Sequence, residues 1–184
     1  ITDSYSLSRY PSSWGWATWR RTWQQFDPDM TFWPAWKRSS EWRAMVPDRT
    51  ERCYWELLFD DSYKGRIDTW DISFLANQWF HNASVLMSTR SLVRNVGFGP
   101  DATHTRRREG YRGTGPIESL EDLLPPSTLR VDPELERRIF TVGYQGHALR
   151  WPKGLYTWPR LWAGQIYRWL RQRQRDRRQS RASS

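Results

Sequence analysis

Cysteine is almost absent from this sequence: Cys53 stands alone among 184 residues, so no disulfide can form within the chain. A free thiol suits a reducing compartment, and a cytoplasmic location is expected. Long apolar runs are missing as well. Arg, Asp, Gln or Lys interrupts every tryptophan-rich stretch, well short of the roughly 18 consecutive apolar residues that a spanning helix needs. The chain opens on Ile1, and no charged segment leading into an apolar run follows. No secretory signal is therefore expected, and the sequence reads as a piece of something longer. No internal repeat occurs, and the length suits one core.

What is present is basic and aromatic. The net charge of +9 is concentrated at one end: residues 1–149 hold as many acids as bases, whereas residues 150–184 hold 10 basic side chains and Asp176 as their one acid. Fourteen tryptophans are several times the usual share. Each offers a large flat face and one N–H donor, suited to core packing and equally to stacking on a sugar.

Trp16, Trp19 and Trp23 recur at helical spacing, which predicts an amphipathic helix from Gly15 to about Phe26, stopped by Asp27-Pro28-Asp29. A second helix should open near Trp33-Pro34, with proline in its first turn, and a third should span about Glu51 to Asp60. Ile72, Leu75, Ala76 and Trp79 predict a helix between Thr69 and Asn82, with Asp71 in its opening turn, where the helix dipole favours an anion. Val85-Leu86-Met87-Ser88 reads as a short strand, and Gly97-Phe98-Gly99-Pro100 as a loop. Residues 106–128, rich in Arg, Gly and Pro, read as a mobile connection.

Three ordered blocks stand out. The first is Ser8-Arg9-Tyr10-Pro11 with Trp14-Gly15-Trp16-Ala17-Thr18-Trp19-Arg20-Arg21 and Trp23; the second is Asp68-Thr69-Trp70-Asp71; the third runs from Asn95 through Gly97-Phe98-Gly99 to Asp101-Ala102-Thr103-His104-Thr105. Together they resemble the bacterial family 2-like nucleotide-diphospho-sugar transferases, some of which are labelled hemolytic proteins. The chain departs from that family's pattern at Ile72-Ser73-Phe74, where Tyr-Gln-Trp is usual. The resemblance implies an α/β fold of the GT-A type and places this chain in its C-terminal, acceptor-side part, helix-rich with a few strands. Residues 1–145 would belong to that domain, and residues 146–184 would form a Trp/Arg-rich tail, amphipathic and then disordered.

The implied reaction moves a sugar from a nucleotide-diphospho-sugar to a glycan or lipid-linked acceptor. It needs a base for the acceptor hydroxyl and a cation, Mn²⁺ or Mg²⁺, for the leaving diphosphate. By the resemblance, Asp71 is the candidate base and Asp68 the alternative, although aspartate is also a favoured helix cap. His104 is the candidate metal ligand and diphosphate contact, with Thr103, Gly97 and Gly99 alongside it. Trp14, Trp16 and Trp70 are the candidate acceptor platform.

Other motifs carry less. With 12 aspartates in the chain, an Asp-x-Asp triplet arises by chance about once, so Asp27-Pro28-Asp29 is read as a turn and not as a metal site. Asn82-Ala83-Ser84 has the glycosylation pattern, and Arg106-Arg107-Arg108 could clamp a diphosphate, though a solvated charge run is the plainer reading. In the tail, Trp151, Leu155, Trp158, Trp162, Ile166 and Trp169 form one stripe, with Pro152 and Pro159 expected to break or start helices. Tryptophan and arginine together suit peripheral contact with the inner membrane through residues 150–181. A non-catalytic basic aromatic module that binds nucleic acid or anionic surfaces is the rival reading; the neutral balance of residues 1–149 argues against nucleic acid, and no nucleic-acid partner is expected.

Overall fold

The computed structural model describes residues 3–13, 15–67, 69–94, 116–120 and 122–182, with side chains to 174. Among the described residues helices dominate, with one two-stranded antiparallel sheet beside them. The chain divides by its contacts into two interleaved units: residues 1–23 with 84–136, and residues 24–83 with 137–184. This differs from the expected boundary at 145/146.

In the first unit, strand β1 (Tyr5–Ser8) pairs antiparallel with β2 (Val85–Ser88), Tyr5 opposite Ser88 and Ser8 opposite Val85. A single parallel bridge joins Leu7 to Val131. The chain after β1 is fixed by one buried carboxylate. Glu136 accepts from the Ser8 hydroxyl at 2.7 Å, the Arg9 amide at 3.2 Å and Arg9 Nε at 2.9 Å. The Ser8-Arg9-Tyr10 motif is thus tied to a residue 128 positions away. Of residues 106–128, expected as a mobile connection, the described part is tied to the unit: the Ser4 and Glu118 amides donate to the Leu124 and Ser91 carbonyls at 2.8 and 2.9 Å. Helix α1 is shorter than its tryptophan spacing predicts, Arg20–Gln24, and none of its residues is buried. The periodicity of Trp16, Trp19 and Trp23 has no core to face, so it does not extend the helix.

The second unit holds the aromatic core. Helices α2 (Trp33–Trp36), α3 (Ser40–Met45), α4 (Arg49–Tyr63) and α5 (Trp70–Phe80) surround Trp33, Trp42, Trp55, Phe59 and Trp79, all at most 1% exposed. Their rings meet mostly edge to face: Trp33 lies 5.2 Å from both Trp42 and Phe59, near perpendicular to each, the arrangement that aromatic quadrupoles favour. The indole N–H groups of Trp33 and Trp42 donate to Asp60 and Glu56, both on α4, at 2.9 Å.

The local signals are legible at each helix end. Pro34 occupies the first turn of α2, and Ser39 and Asp48 cap α3 and α4 by accepting from the Trp42 and Glu51 amides. Helices α4 and α5 both end in left-handed caps, at Gly65 and Asn82. In each, the cap amide bonds two residues inside the helix end and the next amide reaches one residue further back: Gly65 to Ser62 and Arg66 to Asp61, Asn82 to Trp79 and Ala83 to Gln78. Asn82, the asparagine of the glycosylation pattern, therefore serves as a helix terminator.

Helix α6 (Pro133–Arg138) leads into a π-helical turn, a 3-10 turn at Gly146–Leu149 and the long α7 (Gly154–Ala182). Two expectations are corrected here. Pro159 lies inside α7, where, near the helix start, it removes only the donor for one early carbonyl. The chain also does not leave the helix at Arg171 but continues to Ala182. Gly154 starts α7 against the Leu149 carbonyl, so tightly that an added Cβ would sit 2.4 Å from that oxygen. Among the described residues no helix is long and apolar enough to cross a membrane.

Candidate functional site

The opening turn of α5 carries the described part of the expected site. Thr69 precedes the helix in extended conformation, and Trp70 and Asp71 form its first two residues. Asp71 Oδ1 accepts from the Thr69 hydroxyl and, at 3.0 Å, from the Ile72 amide. The carboxylate is therefore oriented by its own helix start. Trp70 is 42% exposed and sets its ring edgewise on Phe74, 5.8 Å away. Phe74 in turn meets Phe26 at 5.5 Å. Asp71 thus offers an oriented carboxylate and Trp70 a half-exposed ring on the same opening turn.

Trp16 belongs to the other unit, where it is 37% exposed and lies 6.2 Å from Trp23. Trp70 and Asp71 are consecutive residues of α5, and Trp16 belongs to the other unit. Asp68, Trp14, Gly97, Gly99, Thr103 and His104 lie outside the described residues, as do Arg106, Arg107 and Arg108. Among the described residues no three of His, Cys, Asp and Glu are grouped as a metal would require.

The Asp27-Pro28-Asp29 triplet is a turn, as expected. Asp27 accepts from the Asp29 amide at 3.0 Å and from both the amide and hydroxyl of Thr31 at 2.7 Å. The Thr31 hydroxyl leads the contacts that hold its carboxyl below the ordinary aspartate range. Asn77 of α5 clasps the same turn, accepting from the Asp27 amide and donating to its carbonyl.

No family model, curated protein or solved structure matches this chain. The site therefore rests on its own geometry and on the ordered motifs.

A second concavity was not foreseen. A groove of about 700 Å³ runs between α4 and the start of α7, walled by Leu57, Leu149, Leu155, Trp158 and Trp162, with Lys37, Arg49, Glu56 and Asp60 also lining it. Its acids are already engaged: Glu56 by the Trp42 indole, Asp60 by the Trp33 indole and, at 2.8 Å, by Lys37. The apolar walls suit an apolar chain or ring. Its signal in the sequence is the recurrence of Arg49, Cys53, Glu56 and Asp60 on one face of α4, roughly 110° round the helix from Trp55 and Phe59. The other wall depends on where α7 lies, which that periodicity does not encode.

Proposed function

We propose that this chain is the acceptor-side part of a GT-A glycosyltransferase that passes a sugar from a nucleotide-diphospho-sugar to a glycan or lipid-linked acceptor. The observation that carries the reading is Asp71 in the first turn of α5, oriented by Thr69 and the Ile72 amide, with the preceding residue, Trp70, half exposed. The ordered motifs around it supply the reaction class.

In this reading, Trp70 stacks on the acceptor and Asp71 takes the proton from its hydroxyl. The acceptor oxygen bonds to the anomeric carbon, and the bond from that carbon to the diphosphate breaks with its electron pair leaving on the phosphate. Mn²⁺ or Mg²⁺ would neutralise the charge on the leaving group, with His104 as its candidate ligand and Thr103, Gly97 and Gly99 against the diphosphate. The groove beside α7 suits the lipid portion of a lipid-linked acceptor.

Release of nucleoside diphosphate from UDP-, GDP- and dTDP-sugars by the full-length gene product tests this reading. Asp71→Asn is expected to lower turnover by about 10²–10⁴-fold, while Asp29→Asn, in the rejected Asp-x-Asp triplet, leaves it unchanged. Absence of release from every donor, or an Asp71→Asn protein with full turnover, overturns the proposal.

A further inference from the structure

Helix α7 turns its polar side to its own domain. The residues that face inward recur every three or four positions, and most of their contacts are polar. Gln165 donates to the Leu57 carbonyl at 3.5 Å, Arg168 to Asp61 at 2.6 Å and Gln172 to the Lys64 carbonyl at 2.9 Å. Trp158 and one edge each of Leu155 and Trp162 meet the groove, and the rest of the apolar stripe points outward. Leu155, Tyr156, Trp162, Ile166, Tyr167 and Leu170 are between 47% and 72% exposed, and Trp151, just ahead of the helix, is 80% exposed. At about 100° per residue these positions fill an arc of roughly 140°. A surface helix ordinarily buries such a stripe.

The chemistry of the arc's surroundings identifies what covers it. Eight arginines and a single acid, Asp176, lie within Gly154–Ala182. Arg171 stands over Tyr167 at 5.6 Å and Arg173 over Trp169 at 4.3 Å. A second copy of this helix would bring like charges together, which disfavours self-pairing. A nucleic acid would use the arginines but not Leu155, Ile166 and Leu170. An anionic bilayer uses both: aliphatic side chains enter the acyl boundary, Trp and Tyr settle among the headgroups, and arginines meet lipid phosphate.

We propose that α7 is an interfacial helix that seats the chain on the surface of an anionic lipid bilayer, lying in the membrane plane with Tyr156, Trp162, Ile166 and Tyr167 inserted. The glycosyltransferase reading is not needed for this, since docking depends on α7 and transfer on Asp71.

Sedimentation of the chain with phosphatidylcholine vesicles, with and without phosphatidylglycerol, tests the proposal. Binding is expected to require phosphatidylglycerol and to weaken as salt rises. Each arginine removed should lower the partition coefficient about fivefold, so Arg171→Glu/Arg173→Glu should lower it by more than about 25-fold. Trp162→Ala/Tyr167→Ala should lower it by about tenfold or more. Because these side chains are exposed, circular dichroism melts of both variants should match the parent, and a variant that melts early is replaced by Trp162→Ser or Arg171→Gln alone. Equal binding to neutral vesicles, unchanged binding by folded variants, dimerisation through the same residues, or retention by nucleic acid with vesicles ignored overturns it.

Discussion

Arg168 reaches across from α7 and donates from both Nε and Nη2 to one oxygen of Asp61, at 2.9 and 2.6 Å, while Arg66 approaches the other oxygen at 3.3 Å. Asp61 is fully buried, and Arg168 is 38% exposed. A carboxylate this enclosed needs its cations, because a buried charge without a partner is strongly unfavourable. The pair is therefore one of the ties between α7 and α4, beside Gln165 and Gln172.

Arg168→Ala should destabilise the chain by about 2–3 kcal/mol in urea unfolding, below the usual cost of breaking a buried pair because Arg168 is partly solvated and Arg66 remains. Arg168→Lys should recover only part of this, since an ammonium cannot present the guanidinium's fixed pair of donors. A variant as stable as the parent would mean that the pair contributes nothing net.

Glu136 gathers three donors from Ser8 and Arg9. Glu136→Ala leaves those donors unsatisfied and should cost about 3 kcal/mol. Amide exchange should accelerate at residues 5–10 well before it does in the aromatic core of the other unit.

The two left-handed caps differ in how well their residues fit. Gly65→Ala places a Cβ where φ is +62° and should cost about 1 kcal/mol. Asn82→Gly relieves the same conformation at φ +51° and should raise stability by a few tenths of a kcal/mol, roughly 0.5. Paired thermal melts check both signs.

Acid should loosen the second unit through Asp48 and Asp27. Burial works against ionisation of Asp48, but the Glu51 amide and Arg150 outweigh it and hold the carboxyl below its ordinary value of 3.8. Asp27 is lowered too, chiefly by the Thr31 hydroxyl. Both groups bind protons more readily in the unfolded chain, so their stabilisation is complete above the ordinary value and is lost as pH falls through the lowered one. Asp48→Asn should flatten the fall in stability below about pH 4 and leave the neutral-pH slope unchanged.

Much of the second unit could be read from its residues. Helices α4 and α5 declare themselves by apolar period and by their caps, α2 by Pro34, and β2 by its short apolar run Val85-Leu86-Met87. Strand β1 could not be read in this way, because four residues acquire strand character only from a partner 80 positions away. The helical spacing of Trp16, Trp19 and Trp23 misleads, since those rings find no interior. Composition also misleads after Arg171: a run of Arg and Gln looks unstructured, yet both residues favour helix once α7 is under way. Of the site, Asp71 is placed as its spacing predicts, whereas the groove beside α7 arises from two segments about 100 residues apart.

Asp60 and Asp61 are neighbours in sequence, yet the first holds the Trp33 indole and Lys37 while the second holds Arg66 and Arg168. Successive side chains on a helix diverge by about 100°, and α4 uses that divergence as an indexing shaft, with one tooth engaging the short helices before it and the next engaging the long helix after it. A single residue inserted between Trp55 and Phe59 would turn both teeth out of mesh together. Insertions should therefore be tolerated only in the segments around this shaft, and relatives of the chain should be recognisable by an unbroken spacing from Trp55 to Asp61.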